Sequence, residues 1–515
     1  MKGWILNLRT TQQFIKDGLL LTATMLILRT AGVFFSARLS ILAGSAVMGL
    51  YTQIMSVYSF AVTAASAGVN LGALRLTSEC YGSGREDEIR TGVRQYMSYC
   101  LKVGIAISLI FFTVSPFLGG VLLGDTRTIA SLRALSVALP FIAVSNAFHG
   151  YFNGVNRIYK SAAVNLIEQF VRITMTLTAL SLVNTADTES VCLALVGCNA
   201  FSEAFSCFIL LILYIIDSRR FPTSVKVSPH LKKRFIGITV PVAFSSMIRS
   251  GLTTAEHILI PIGLRSFGAD NQSALSQYGI VSGMVMPILL YPMALLSAFA
   301  SVTISELSAR ASAGESRKKI SETVSKGIGL ALIYGIGCAS IIRFFAEALG
   351  VSIYGNNQVS GFLRIMAPLI ILMYLDHIAD GMLKGLDKQN YVMKVNIIDA
   401  ALSVVFAVIL IPRFGIYGFV ASIYICEFLN CACSFGMLMY TVGFPINIIN
   451  NLALPTFCSI IAVWVVSVIT SVTDIGIIIP EAYVTIGGIV CCVLLYYILL
   501  RITGVIKSPE RHKSQ

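Results

Sequence analysis

HGYFNGVNRIYKSAAVNLIE (His149–Glu168) and DGMLKGLDKQNYVMKVNIID (Asp380–Asp399) are two spellings of one phrase. They start 231 residues apart, agree without a gap at five of twenty positions, and swap like for like at several others. A chain that repeats itself over such an interval is built from two similar halves. What kind of halves follows from the residues around the phrases.

Of 515 residues, 56% are apolar and only 12% charged, where a soluble globular domain carries about 25% charged residues. The apolar residues come in runs of about 20, the length a helix needs to cross the hydrocarbon core of a bilayer. The reading is an all-α membrane protein with about fourteen transmembrane helices. They are placed near 18–43, 47–74, 93–119, 130–152, 161–183, 191–216, 235–262, 275–300, 323–345, 359–383, 391–411, 416–439, 451–470 and 482–502. The first run is too long for the apolar part of a signal peptide and reads as a retained span. The twelve cysteines show no zinc-ligand spacing and read as small buried hydrophobes. No metal and no cofactor is expected.

The net charge of +13 sorts by topology. With both termini inside, the inner ends and loops hold 27 Lys or Arg and the outer ones seven. That bias orients the chain with both termini in the cytoplasm, as a multi-pass protein of the cytoplasmic (inner) membrane. It also accounts for the basic balance without nucleic acid, leaving membrane lipids as the partners of the basic loops. No loop is large enough for a catalytic domain, and no GxxxxGK[ST] nucleotide loop occurs. An enzyme is not expected.

The phrases open at the inner ends of spans 4 and 10. Six spans separate them, so the copies point the same way through the membrane, as in parallel repeats. Other echoes keep the order: SECYGSGREDEI (Ser78–Ile89) after span 2 and SELSARASAGESRKKI (Ser305–Ile320) after span 8. The expected organisation is an N-terminal bundle of six helices (1–216), a cytoplasmic linker (217–234), a C-terminal bundle of six (235–439), two further helices (440–502) and a cytoplasmic tail (503–515). Gly150 and Gly154, like Gly381 and Gly385, sit four apart on one helix face, where small residues let backbones approach. Asn165 and Asn396 are expected to bond a neighbouring span. Two similar halves suggest a carrier that opens a central cleft to alternate sides.

Charges inside spans mark candidate sites. Arg29 and Arg249 fall near the middle of spans 1 and 7, where an arginine facing lipid costs roughly 2.5–3.5 kcal/mol. They are expected either to face the cleft, where guanidinium groups suit phosphate, or to pair with carboxylates. Arg75 stands at the inner rim, four residues before Glu79. Glu203, Glu256, Asp376 and Asp380 are candidates for ion or proton coupling. Glu168 and Arg172, four apart, read as an intrahelical ion pair.

The segment RTAGVFFSARLSILAGSAVMGLYTQIMSVYSFAVTAASAGVNLGALRLTSE (Arg29–Glu79) resembles the stage V sporulation protein B family. That family belongs to the polysaccharide-transporter branch of the multidrug, oligosaccharidyl-lipid and polysaccharide exporter superfamily. The marks are Arg29 followed by Gly32, Gly49-Leu50-Tyr51, and the small-residue turn Ser66–Gly68 before Glu79. The resemblance implies a flippase for undecaprenyl-pyrophosphate-linked saccharides such as a peptidoglycan precursor, acting in spore cortex or envelope synthesis alongside envelope-synthesis proteins. Related lipid II flippases use arginines of spans 1, 2 and 8. Arg29 matches the first and Arg75 approximates the second. Span 8 here has no arginine, which leaves Arg249 of span 7 as the third cation. Two alternatives stay open: a cation-coupled multidrug or metabolite exporter, and a membrane scaffold that transports nothing.

Overall fold

The computed structural model describes residues 2–183, 187–222, 229–312, 315–445, 447–472 and 481–505. Residues 223–228 of the expected linker and 506–515 of the expected tail lie outside them. Among the described residues all regular structure is helical. The helices are α1 (Lys2–Ser66), α2 (Val69–Gly82), α3 (Glu86–Phe117), α4 (Thr128–Ser136), α5 (Leu139–Gly154), α6 (Ile158–Leu182), α7 (Thr188–Ser218), α8 (Pro229–Phe267), α9 (Asn271–Tyr278) and α10 (Met286–Leu290). They continue as α11 (Met293–Ser312), α12 (Arg317–Phe344), α13 (Ala346–Tyr354), α14 (Asn357–Met366), α15 (Leu369–Gly385), α16 (Gln389–Phe414), α17 (Ile416–Val442), α18 (Leu454–Val472) and α19 (Glu481–Ile502).

Ten helices among the described residues are long and apolar enough to cross a bilayer, or twelve when each of two bent pairs counts as one span. The apolar stretch Ala23–Gly82 runs for 60 residues, about 90 Å of helix and so roughly three times a bilayer core. Gly44 (φ 82°, ψ 168°) breaks it into two spans. Helix α6 falls outside the apolar set because Glu168, Gln169 and Arg172 lower its hydropathy. With that break and that helix included, each of the fourteen expected spans has a helical counterpart.

The duplication is written into the backbone. Gly124 (φ 67°) and Gly355 (φ 63°) are 231 residues apart. Immediately after each, an Asx side chain accepts the backbone amide two residues on, just ahead of or at the start of the next helix: Asp125 from Arg127 (3.1 Å), Asn356 from Gln358 (2.8 Å). The helices so started, α4 and α14, bend by 43° and 56° into α5 and α15.

Those helices carry the glycine pairs. A Cβ on Gly150 would lie 2.6 Å from both the Asn70 carbonyl oxygen and Ala73 Cβ; one on Gly154 would lie 2.7 Å from Thr77 Cβ. In the second half, a Cβ on Gly381 would meet Ile304 Cδ1 at 3.1 Å and one on Gly385 the Ile304 carbonyl oxygen at 2.9 Å. Each pair seats its helix against the one that follows a break, α2 after Gly68 (φ 74°) and α11 after Pro292.

By contacts the chain forms two units. Unit 1 comprises residues 1–35, 42–279 and 403–416; unit 2 comprises 36–41, 280–402 and 417–515. Unit 1 therefore includes α8 and α9, whereas the sequence division begins the second bundle at 235. Close backbone approach explains the difference. A Cβ on Gly49 would lie 1.9 Å from the Leu275 carbonyl oxygen, and one on Gly68 would lie 2.6 Å from that of Thr239. Phe235 of α8 stacks on Tyr96 of α3 (centroids 4.7 Å apart) within a core that includes Ala73, Phe148, Tyr151 and Phe152. In unit 2, α15 packs on α11 and α12, and α18 on α12 and α19.

Candidate functional site

Helix α8 lies along the second span of α1 in opposite direction. Thr254 donates to the Ser56 carbonyl (3.0 Å), and Thr239 to that of Gly68 (3.4 Å). A Cβ on Gly251 would touch Phe60 at 3.4 Å. This contact fixes the face on which α8 presents Arg249. Arg29, Arg75 and Arg249 are all exposed on unit 1, and among the described residues none has a carboxylate within ion-pair distance. Of the two expectations for the mid-span arginines, carboxylate pairing is not found. Glu79 likewise pairs with Arg234 (2.6 Å) and Arg85 (3.5 Å), not with Arg75. Glu256, on the same helix as Arg249, is half-buried and engaged by a neighbour, and His257 shares a 2.9 Å hydrogen bond with Tyr278.

Beside Arg249, α8 turns another face to an apolar cavity of about 570 Å³. Val57, Phe60, Phe111, Leu118, Met247 and Ile258 are among its walls.

A second polar group sits between α6 and α7. Arg172 donates to Asn199 (3.1 Å) and to Gln169. The intrahelical ion pair with Glu168 does not form among the described residues, because amide oxygens take the guanidinium instead. Glu203 is half-buried one turn beyond Asn199. Asn165, expected to bond a neighbouring span, makes no hydrogen bond among the described residues.

Unit 2 gathers acids. Asp376 accepts from Asn430 (3.1 Å); Asp380 accepts from Ser434 (2.8 Å) and from Asn396 (3.1 Å). Both aspartates are 8% exposed. Asp399 and Glu427 lie within electrostatic range of them. Asn396 bridges from α16 to α15 through this hydrogen bond. Among the described residues no group of three or more acidic, Cys or His side chains is arranged to hold a metal.

Sequence reasoning passed over Asp217. It is 1% exposed at the end of α7 and receives Lys160 (2.6 Å), Arg157 and the Tyr151 hydroxyl (2.9 Å). The signal was available: Arg157 and Lys160 stand inside the first copy of the quoted phrase, and they need an acid.

The MatE family matches residues 265–409. Stage V sporulation protein B of Bacillus subtilis (strain 168) is 23% identical over 97% of this chain and 97% of its own length. Lipid II flippase MurJ of the same organism is 20% identical over 78% of each. Among solved structures, lipid II flippase MurJ in an inward closed conformation aligns with TM-score 0.66 at 14% identity, covering 94% of this chain and 99% of that one. These matches liken the chain to transporters of the MOP superfamily. An inward-facing multidrug resistance MATE transporter of that superfamily aligns with TM-score 0.65 at 14% identity, covering 81% of this chain and 94% of the other. The likeness fits the many apolar helices and the paired backbone features at an offset of 231. The chain is a multi-pass membrane protein of the transporter type found in this superfamily.

Proposed function

We propose that the chain is a flippase for an anionic lipid-linked saccharide, an undecaprenyl-pyrophosphate-linked sugar such as a peptidoglycan precursor. It moves this lipid from the inner to the outer leaflet of the cytoplasmic membrane during spore cortex or envelope synthesis. The observation that carries the reading is that Arg29 and Arg249 are exposed, fall mid-span in the sequence and, among the described residues, have no acidic partner. An arginine turned to lipid costs roughly 2.5–3.5 kcal/mol, so two of them are best housed on a wet surface that meets an anion. Guanidinium groups match pyrophosphate oxygens in bidentate fashion and never lose their charge. Arg75 recruits the headgroup at the rim. The apolar cavity on the opposite face of α8 suits hydrocarbon, so tail and headgroup are served by two sides of one helix. No bond is made or broken. The relatives named a lipid II flippase and a sporulation protein support this substrate class.

The test uses vesicles holding the purified protein and a labelled lipid-linked saccharide. Arg29→Ala and Arg249→Ala are expected to reach the membrane at normal abundance and to lose leaflet transfer. Full transfer by both variants would reject the grip.

The acid nest favours a second reading, a cation-coupled exporter of drugs or metabolites. Glu203, Glu256, Asp376 and Asp380 then serve ion or proton coupling. Transport of an amphipathic cation that disappears in Asp376→Asn, with no transfer of lipid-linked sugar by the unmodified protein, would select it.

A further inference from the structure

Asp217 is outnumbered. Its Oδ1 takes Lys160 Nζ at 2.6 Å and also Arg157. Arg220 stands one turn on, its amide bonded to the Asp217 carbonyl (3.3 Å). Lys160 is 17% and Arg157 20% exposed, so water screens their mutual repulsion poorly. The Lys160 ammonium is held below the usual lysine range, first by burial and then by the Arg157 and Arg220 guanidinium groups. One carboxylate pairs with two cations, and the Arg220 guanidinium lies within electrostatic range of Lys160. Across the Tyr151–Tyr214 edge-to-face pair (5.1 Å), Arg94 of α3 lies within electrostatic range of Tyr214. Such a cluster is short of negative charge, and a phosphate would supply it.

The surroundings say what carries that phosphate. On the turns of α7 just before Asp217, Ile212 (57%), Ile215 and Ile216 (59%) are exposed, as is Tyr159 beside Lys160. Apolar side chains bared next to cations make a surface for a lipid, whose chains lie along the isoleucines while its headgroup reaches the charges. The basic bias of the loops puts this end of unit 1 at the cytoplasmic leaflet, where anionic headgroups are supplied. We propose that Arg157, Lys160 and Arg220 form a headgroup site for an anionic phospholipid of the cytoplasmic leaflet, on the α6–α7 side of unit 1. The site shares no residue with the Arg29 and Arg249 grip and stands whether or not that grip is correct.

The full-length protein is placed in nanodiscs of phosphatidylcholine, with and without phosphatidylglycerol. Thermal unfolding and lipid retention by native mass spectrometry are then read. Phosphatidylglycerol is expected to raise Tm and to remain bound. The Lys160→Gln/Arg220→Gln double variant keeps its Tm in phosphatidylcholine, loses most of the phosphatidylglycerol shift, and retains that lipid roughly thirtyfold more weakly, at about 1 kcal/mol per basic residue. If the double variant unfolds in phosphatidylcholine, the exposed Arg220→Gln alone carries the test, with a smaller loss in the same direction. An undiminished shift and unchanged retention in the variants would overturn the site. Equal stabilisation of the unmodified protein by inorganic phosphate would overturn the lipid as its occupant.

Discussion

Asn156 and Asp387, 231 residues apart, hold the same left-handed backbone, with φ of 57° and 60°. Each follows a helix that carries a glycine pair, α5 or α15, and precedes the helix running back, α6 or α16. A side chain in this conformation crowds the following carbonyl, at a cost of roughly 1–2 kcal/mol, and Asn and Asp tolerate it better than most residues. The two turns are therefore corresponding joints of the two halves.

Asn156→Gly is expected to leave stability unchanged or slightly higher, and Asn156→Val to lower it by about 1–2 kcal/mol. Asp387→Val is expected to do the same. Thermal unfolding in one detergent compares them. A valine variant as stable as the unmodified chain would show that the joint relaxes freely.

The glycine pairs differ in what surrounds them. The space at Gly150 is closed by the Asn70 carbonyl at 2.6 Å, and backbone cannot swing away. At Gly381 the nearest atom is the terminal carbon of Ile304 at 3.1 Å, the far end of a flexible side chain. Gly150→Ala should therefore cost about 1–3 kcal/mol, the range for overpacking, and Gly381→Ala clearly less. Equal losses in Tm would mean that the α2–α5 contact yields as easily as α11–α15.

Removing the Asp217 charge leaves Lys160 and Arg157 facing each other with little water. Asp217→Asn is expected to destabilise by on the order of 3 kcal/mol, as for breaking a buried pair. Adding Lys160→Met should recover part of the loss, because one of the two stranded cations is gone. A denaturation series on single and double variants measures the coupling. Strict additivity would show that the three groups act separately.

Asp187 caps α7 and predicts an acid dependence. It accepts from the Glu189 and Ser190 amides and from the Ser190 hydroxyl. The Ser190 hydroxyl chiefly, with those amides, holds its carboxyl below its ordinary value of 3.8. A carboxyl depressed on folding stabilises above its unfolded pKa and loses that contribution as pH falls through the folded one. The difference in Tm between the unmodified chain and Asp187→Ala should be full at pH 7 and shrink below about pH 3.8. A difference that persists undiminished at pH 2 would show that the charge plays no part in the cap.

Much of this architecture was legible before any coordinates. Apolar runs place spans because an unsatisfied peptide group in lipid is too costly for anything but a helix to cross. The phrases at His149 and Asp380 marked the corresponding turns, since a glycine pair and a tight joint constrain residue type directly. The site was less legible. Glu168 and Arg172 have ion-pair spacing, yet Arg172 turns to Asn199 of α7. Glu79 stands four residues from Arg75 and pairs with Arg234 from 155 residues away.

The sequence by itself determined the helical class, the membrane-spanning character of the apolar runs and the duplication, because each depends only on local composition or on a repeat along the chain. Tertiary structure decided that, among the described residues, Arg29 and Arg249 have no acid within ion-pair distance, that Asp376 and Asp380 are served by Asn430, Ser434 and Asn396, and that Asp217 collects two cations. Helical spacing says which residues share a face but not which helix that face meets. A buried polar group takes its partner from the neighbour that packing brings within about 3 Å.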